Sequence, residues 1–302
     1  MDKFRDSVAV ITGGASGFGK EFARLGASLG MKLVLADIEQ SALDATVAEL
    51  QAAGATVIGR RTDVSKAADV QALADATMAA FGKVNLLFNN AGVAPGGLVW
   101  ESTEQDWDWT LGVNLHGVLH GLRIFTPLML AAAAADPGYQ GHIVNTASMA
   151  GLTAAPTFGL YCVSKQAVVA LSETLFHDLG LVSEQVKCSV LCPSFVATGI
   201  NRSQRNRPAD GGSATTAPSR SQLAAQAMLD RGIAGATISA QDVARVTFDA
   251  IRDDRFYIFP QPQSLATVQP RFDDILGMRN PRDPFGGHPE IRAAVIAALG
   301  RN

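Results

Sequence analysis

Cysteine is scarce: Cys162, Cys188 and Cys192 are the three among 302 residues. An odd count, with no partners at metal-ligand spacing, excludes a disulfide framework and a thiolate metal site. The thiols read as free in a reducing compartment. Runs of like charge are missing too. Net charge is −3 with no basic patch or long run of Lys and Arg, which argues against nucleic acid as a partner. No uninterrupted apolar run reaches the ~18 residues of a membrane span, so no membrane partner is expected. The opening "MDKFRDSVAVITGG" is charged and lacks the apolar core and cleavage site of a secretory leader. A cytoplasmic chain is therefore expected, in which the sequon "NRS" at 201–203 never meets a glycosylating enzyme. Charged residues make up only 18% against 47% hydrophobic, a balance that excludes disorder over most of the chain and permits a large core.

What is present alternates. "SVAVIT" (7–12), "KLVLAD" (32–37), "TVIGRRTDV", "VNLLFNNAG", "HIVNTAS" and "VKCSVLCPS" read as strands. Between them lie "KEFARLGASLG", "QSALDATVAELQAAG", "ADVQALADATMAAFG", one or two long helices over 104–134, and a helix over 158–180. The strands are continuously apolar rather than alternating, so both their faces are buried, as in a parallel sheet covered by helices. The expected fold is α/β, one doubly wound domain over 1–302 with right-handed crossovers. Residues 201–221, rich in Gly, Pro and Ser, suggest a mobile loop within a substrate lid at 199–232. "SAQDVARVTFDAIRDD" returns to helix behind an N-cap at Ser239, "RFYIFP" (255–260) reads as a last strand, and 261–302 is a tail that ends in a short helix.

One turn carries phosphate chemistry. "TGGASGFG" (12–19) sits between the first strand and first helix. Its glycines let a pyrophosphate approach the backbone, and the helix start offers unpaired N–H groups and a positive dipole end. Gly13, Ser16, Gly17, Phe18 and Gly19 are its candidate cofactor contacts. Asp37 ends the second strand, 18 positions beyond Gly19. Its carboxylate can accept from an adenosine ribose diol and repels a 2′-phosphate, and Ile38 follows it where a cation would otherwise serve that phosphate. The cofactor expected is NAD rather than NADP. Taken alone, Asp37 could equally be the N-cap of the second helix.

With "NNAG" (89–92), Ser148 and "YCVSK" (161–165), the chain resembles the short-chain dehydrogenase/reductase family over about residues 5–200. Thr12, Gly13, Gly17 and Gly19 match its TGxxxGxG pattern, Tyr161 and Lys165 its YxxxK, and Ser148 lies 13 positions before Tyr161. The resemblance implies a Rossmann-type domain, NAD(P)-dependent alcohol–carbonyl chemistry and assembly into a homodimer or homotetramer. Elementary chemistry agrees. A free phenol, with a pKa near ~10, is a poor base at neutral pH, and a nearby ammonium favours the phenolate. Positions i and i+4 share a helix face, so Tyr161 and Lys165 can enter one cleft. Ser148 can orient a substrate oxygen. The resemblance further implies that Lys165 grips the nicotinamide ribose and that Asn114 holds a helix irregularity and a proton-relaying water. It also implies that Asp63 and Val64 meet the adenine, that Asn90, Ala91 and Gly92 line the cofactor groove, and that Pro193, Val196 and Thr198 ("PSFVAT") border the carboxamide. Ser194 stands where the family has glycine.

Other residues invite chemistry with less support. Cys162 adjoins Tyr161 but points about 100° away on a helix. His116 and His120 have the i,i+4 spacing of zinc ligands without an HExxH glutamate or a third ligand, so no metal is expected. His142 is expected to be exposed at a strand start. The substrate wall is assigned to Ser148, Met149, Phe158 and Tyr161, with Leu152, Pro156, Val93, Leu98 and Trp100 nearby. It is mostly apolar and shows no evident Lys or Arg, which favours a neutral, bulky secondary alcohol or ketone. The long tail resembles that of family members that oxidise aryl or other bulky alcohols. Ketone reduction and a non-catalytic dinucleotide-binding regulator are the alternatives.

Overall fold

In a computed structural model, which describes residues 1, 4–208 and 217–300, the apolar runs pair side by side. Strands and helices alternate as β1 (Val8–Thr12), α1 (Gly17–Ser28), β2 (Lys32–Asp37), α2 (Gln40–Ala52), β3 (Val57–Arg61), α3 (Ala67–Phe81), β4 (Leu86–Asn89), α4 (Glu104–Leu111), α5 (Gly117–Ala135), β5 (Gly141–Thr146), α6 (Gly159–Val182) and β6 (Val186–Leu191). Then come α7 (Arg220–Ala234), α8 (Ala240–Arg252), β7 (Tyr257–Ile258), α9 (Gln269–Leu276) and α10 (Pro289–Ala298). Among the described residues the sheet order is β3-β2-β1-β4-β5-β6-β7, and every neighbouring pair is parallel. Strand order reverses between β1 and β4, which opens a crevice at the carboxyl ends of those strands.

Two-sided burial explains the strand composition. Val8 and Val10 join one layer with Leu73 of α3, Phe125 and Met129 of α5 and Val168 of α6. Ala9 and Ile11 join the other with Phe22 of α1, Leu43 of α2 and Phe248 of α8. Phe88 of β4 stacks between Phe22 (4.7 Å) and Phe248 (5.7 Å). Each such side chain gains about 1.5–3 kcal/mol from burial.

Several expectations change. α1 begins at Gly17, inside the glycine turn. The run over 255–260 pairs only at Tyr257 and Ile258. α4 and α5 are joined by one π-helical turn, Gly112–His116, into a 32-residue rod, Glu104–Ala135, long and apolar enough to match a membrane span. Its charged residues hid that length from a count of uninterrupted apolar residues. Its Val118, Phe125 and Met129 are buried in the core layer. The supposed loop at 201–221 is partly helical: Gly199–Asn206 is a 3₁₀ helix, and α7 starts under a capping box in which Ser219 Oγ accepts from Gln222 N and Gln222 Oε1 from Ser219 N. Residues 209–216 of that stretch lie outside the described residues. The tail contains α9 as well as the expected terminal helix, α10, which packs on α7.

Candidate active site

The glycine turn lies at the crevice. Gly13 (φ +63°) and Gly17 (φ +50°) occupy left-handed backbone, which side chains resist. A Cβ on Gly19 would come 2.0 Å from the Gly13 carbonyl oxygen, so α1 starts directly beneath the turn. Asn90 Nδ2 donates to the Thr12 carbonyl (2.9 Å), and Thr12 Oγ1 accepts from the N–H groups of Asn90 (2.9 Å) and Ala91 (3.1 Å). The residues after β4 therefore brace the turn as well as line the cleft. Ser16 sits at the N-cap position of α1 without capping it.

Asp37 is buried at the end of β2. Its Oδ2 accepts from Ala15 N and its Oδ1 from Glu39 N, both at 3.0 Å. Burial pushes its carboxyl up, and those N–H groups work against the shift. It is not the N-cap of α2, a position held by Glu39. Ile38, Asp63 and Val64 complete this side of the cleft. Asp63 Oδ1 is engaged by Ser65, from its N–H (3.1 Å) and its hydroxyl (2.6 Å).

α6 supplies the opposite side. Tyr161 and Lys165 both line the cleft, with Lys165 Nζ 5.8 Å from the Tyr161 ring centre and donating to the Thr146 carbonyl (2.8 Å). The phenol pKa is not lowered as expected. Burial pushes Tyr161 up to about 12, against a hydrogen bond with Ser148, and pushes Lys165 down to about 8. Desolvation disfavours the charged form of both groups. Ser148 leads into a 3₁₀ turn, its Oγ accepting from Ala150 N at 3.2 Å. Asn114 is fully buried in the π turn. Its Oδ1 accepts from Val93 N (2.8 Å), and its Nδ2 donates to the Val93 carbonyl and to Ser164 Oγ (2.9 Å each). A Cβ on Gly92 would lie 3.4 Å from Asn114 Oδ1 and 3.5 Å from Lys165 Nζ. The strand β4 loop thus passes close between the π turn and α6.

Some expected contacts turn away. Met149 is buried in the core layer that holds Val168 and Val169, and Val196 in the opposite layer. Both loops bend after their strands, and each apolar side chain follows the nearer core. Pro193 presents its carbonyl to Met149 N (2.9 Å), while Thr198 reaches the cleft beside Gly17. Ser194 is free of left-handed backbone, and its N–H is held by Gln261 Oε1 (3.1 Å). Phe158 and Cys162 pack in a small buried apolar cluster with Ala94, Ala225 and Leu229, and none of the five lines the cleft. A cation does approach this region: Arg271 of α9 donates to the Leu152 carbonyl (3.3 Å). His142 is buried, not exposed, with Nε2 2.7 Å from Ser189 Oγ.

Sequence reasoning assigned the segment after Thr198 to a substrate lid but missed the ties that hold it. Residues 199–208 run along the cleft and are tied at two places. Arg205 and Asn206 bond Glu39 beyond β2. Arg207 pairs with buried Asp106 of α4 (2.5 Å) and covers the Trp109 ring at 5.6 Å. Charges clustered at 202, 205 and 207 were the available signal, but their acidic partners lie at least 100 positions away.

A family model described as short chain dehydrogenase matches residues 7–209. A crystal structure of a short chain dehydrogenase/reductase from Burkholderia phymatum in complex with NAD is 55% identical, spans 94% of this chain and 99% of its own, and superposes with a TM-score of 0.91. C alpha-dehydrogenase from a Sphingobium species is 32% identical over 305 residues, 100% of this chain and 96% of that protein. A CLA biosynthesis dehydrogenase/reductase from Lactiplantibacillus plantarum is 33% identical over 278 residues, 91% of this chain and 95% of that protein.

Proposed function

The chain belongs to the short-chain dehydrogenase family, and on that basis we propose that it transfers hydride between NAD and a neutral, bulky secondary alcohol or ketone. The observation that carries this reading is the convergence of Tyr161 and Lys165 on the same cleft as the glycine turn and Asp37.

The residues fit a dinucleotide. The turn offers backbone N–H groups and the uncommitted Ser16 hydroxyl to a pyrophosphate. Asp37 spends one hydrogen bond per carboxylate oxygen, which leaves acceptor capacity for a ribose diol. Asp37, followed by Ile38, favours NAD, and the similar Burkholderia phymatum structure holds NAD. NAD, when bound, supplies the hydride acceptor and, in its oxidised form, a positive charge. Tyr161 then takes the alcohol proton as the C–H bond gives up its hydride and the carbinol becomes a carbonyl. Ser148 orients the substrate oxygen, Lys165 anchors ribose and supplies charge, and Asn114 positions the loop at Val93 and the helix face at Ser164. Val93, Trp109, Val113 and Ile200 line the cleft and suit an apolar substrate body.

The test follows absorbance of the reduced nicotinamide with a panel of aryl, alicyclic and short aliphatic secondary alcohols. Turnover is expected with NAD and bulky alcohols. Tyr161→Phe should lower kcat by about 10²–10⁴-fold with cofactor affinity retained. Undiminished activity in that variant overturns the mechanism, and equal efficiency with NADP overturns the cofactor assignment. One observation favours a second reading, ketone reduction: a phenol held near 12 is in its protonated form at neutral pH, the form that reduction uses. Under either reading the protein is cytoplasmic, in keeping with its free cysteines, and assembles as a homodimer or homotetramer, for which exposed Phe176, Leu181 and Val182 on α6 offer apolar surface. Light scattering checks the assembly.

A further inference from the structure

Beside Asp37 the cleft holds an ion pair that hydride transfer does not use. Arg205 Nε donates to Glu39 Oε1 at 2.9 Å, and the Nη2 of the same guanidinium lies 2.7 Å from that oxygen. Asn206 Nδ2 adds a third donor at 3.0 Å. Arg205 Nη1 is spent on the backbone carbonyls of Gly199 (3.2 Å) and Arg202 (2.9 Å). Glu39, Arg205 and Asn206 line the same cleft as Asp37 and Ile38. The Glu39 N–H is bonded to Asp37 Oδ1, so the two carboxylates share one short turn. Against a desolvation effect that works to raise it, Arg205 and Asn206 hold the Glu39 carboxyl below its ordinary range.

A guanidinium near the adenosine ribose is the group suited to grip a 2′-phosphate through paired N–H bonds. The fold brings such a group to this place from the segment after β6, and then occupies it. We propose that Glu39 is a second cofactor-selectivity residue: it holds Arg205 and adds negative charge beside Asp37, so a 2′-phosphate meets two carboxylates and an Arg205 guanidinium that is already engaged. The inference rests on the reading of the cleft as a nicotinamide-dinucleotide site. Glu39 and Arg205 side chains are 31% and 39% exposed, and an ion pair that open contributes little to stability. Its effect belongs to ligand choice, because a 2′-phosphate must displace the Glu39 carboxylate before it can reach the Arg205 guanidinium. Asp37 stays in place, so removing Glu39 shifts the preference without reversing it fully.

The experiment titrates NADH and NADPH by fluorescence into the wild-type chain, Glu39→Gln, Glu39→Ser and Glu39→Gln/Arg205→Leu, with melting curves to check folding. NADPH affinity relative to NADH should improve about tenfold or more in both single variants, and most of the gain should be lost in the double variant. A ratio unchanged within about twofold, or a gain undiminished by loss of Arg205, overturns the proposal. Failure of the wild-type chain to bind either dinucleotide would instead defeat the reading of the cleft, and the two failures are told apart by the NADH titration alone.

Discussion

A phenol with a pKa near 12 is almost wholly protonated at neutral pH, and an ammonium with a pKa near 8 is mostly charged. The two values set a pH profile. Alcohol oxidation needs the phenolate, whose fraction grows tenfold per pH unit below the pKa. The kcat/KM for oxidation should therefore rise from pH 6 toward pH 8, then bend as Lys165 loses its proton and its charge. Ketone reduction uses the protonated phenol and should stay flat over the same range. Steady-state kinetics in both directions checks this, and an oxidation rate that falls as pH rises to 8 would contradict it. Identity and spacing made Tyr161, Lys165 and Asp37 candidates for one cleft, and the fold brings all three to it, whereas Ser148 was named by the family resemblance alone. The facing of Met149 and Val196 was not legible. Side-chain direction after a strand depends on how the loop bends, and neither residue type encodes that bend.

α1 begins at Gly17, so its first turn and the glycine turn form one object. Gly19→Ala would drive a methyl group into the Gly13 carbonyl, and the turn must open. NADH affinity should fall by about tenfold or more in a fluorescence titration, with the loss concentrated in the cofactor site. α8 offers a contrasting test. Ser239 Oγ accepts from Asp242 N (3.1 Å), and Asp242 Oδ2 accepts from Ser239 N (2.9 Å). Ser239→Ala should cost about 1 kcal/mol in urea unfolding and leave kcat unchanged. That cap could be read from the sequence because it is local: serine, two residues, aspartate. The start of α7 uses the same device at Ser219 and Gln222, yet its setting among Gly, Pro and Ser reads as loop. Polar residues that cap and polar residues that merely meet water are alike in composition, and the difference lies in whether an apolar face follows that can pack. For α7 that face meets Ala94 and Phe158, residues more than 60 positions earlier.

At the scale of the whole molecule, a pH-dependent liability lies in β5. His142 Nε2 meets Ser189 Oγ, which itself donates to the Arg255 carbonyl (2.7 Å). The ring therefore donates there, and Nδ1 has no partner among the described residues. Burial, then the N-terminal ammonium and Lys187, pull its pKa down to about 3. A folded-state pKa below the unfolded value of ~6.5 means that the unfolded chain binds the proton first. Stability should be intact above pH 6.5 and fall as pH drops toward 3, by up to about 1.4 kcal/mol per pH unit. Urea unfolding at pH 7, 6, 5 and 4 reads the slope, and His142→Leu should flatten it. A slope unchanged in that variant assigns the liability elsewhere. Phe88→Ala, by removing the ring between Phe22 and Phe248, should cost about 3–5 kcal/mol at any pH. The alternation of apolar strands with helices, the glycine turn, Asp37 and the Tyr161–Lys165 pair were all present in the order of residues, because periodicity, turn chemistry and helix spacing are local. The burial of His142, the reach of Arg205 to Glu39 and of Arg207 to Asp106, and the raised Tyr161 pKa came with the folded chain. Each depends on which distant groups exclude water or supply charge, and that follows from the packing of the sheet order and crossovers.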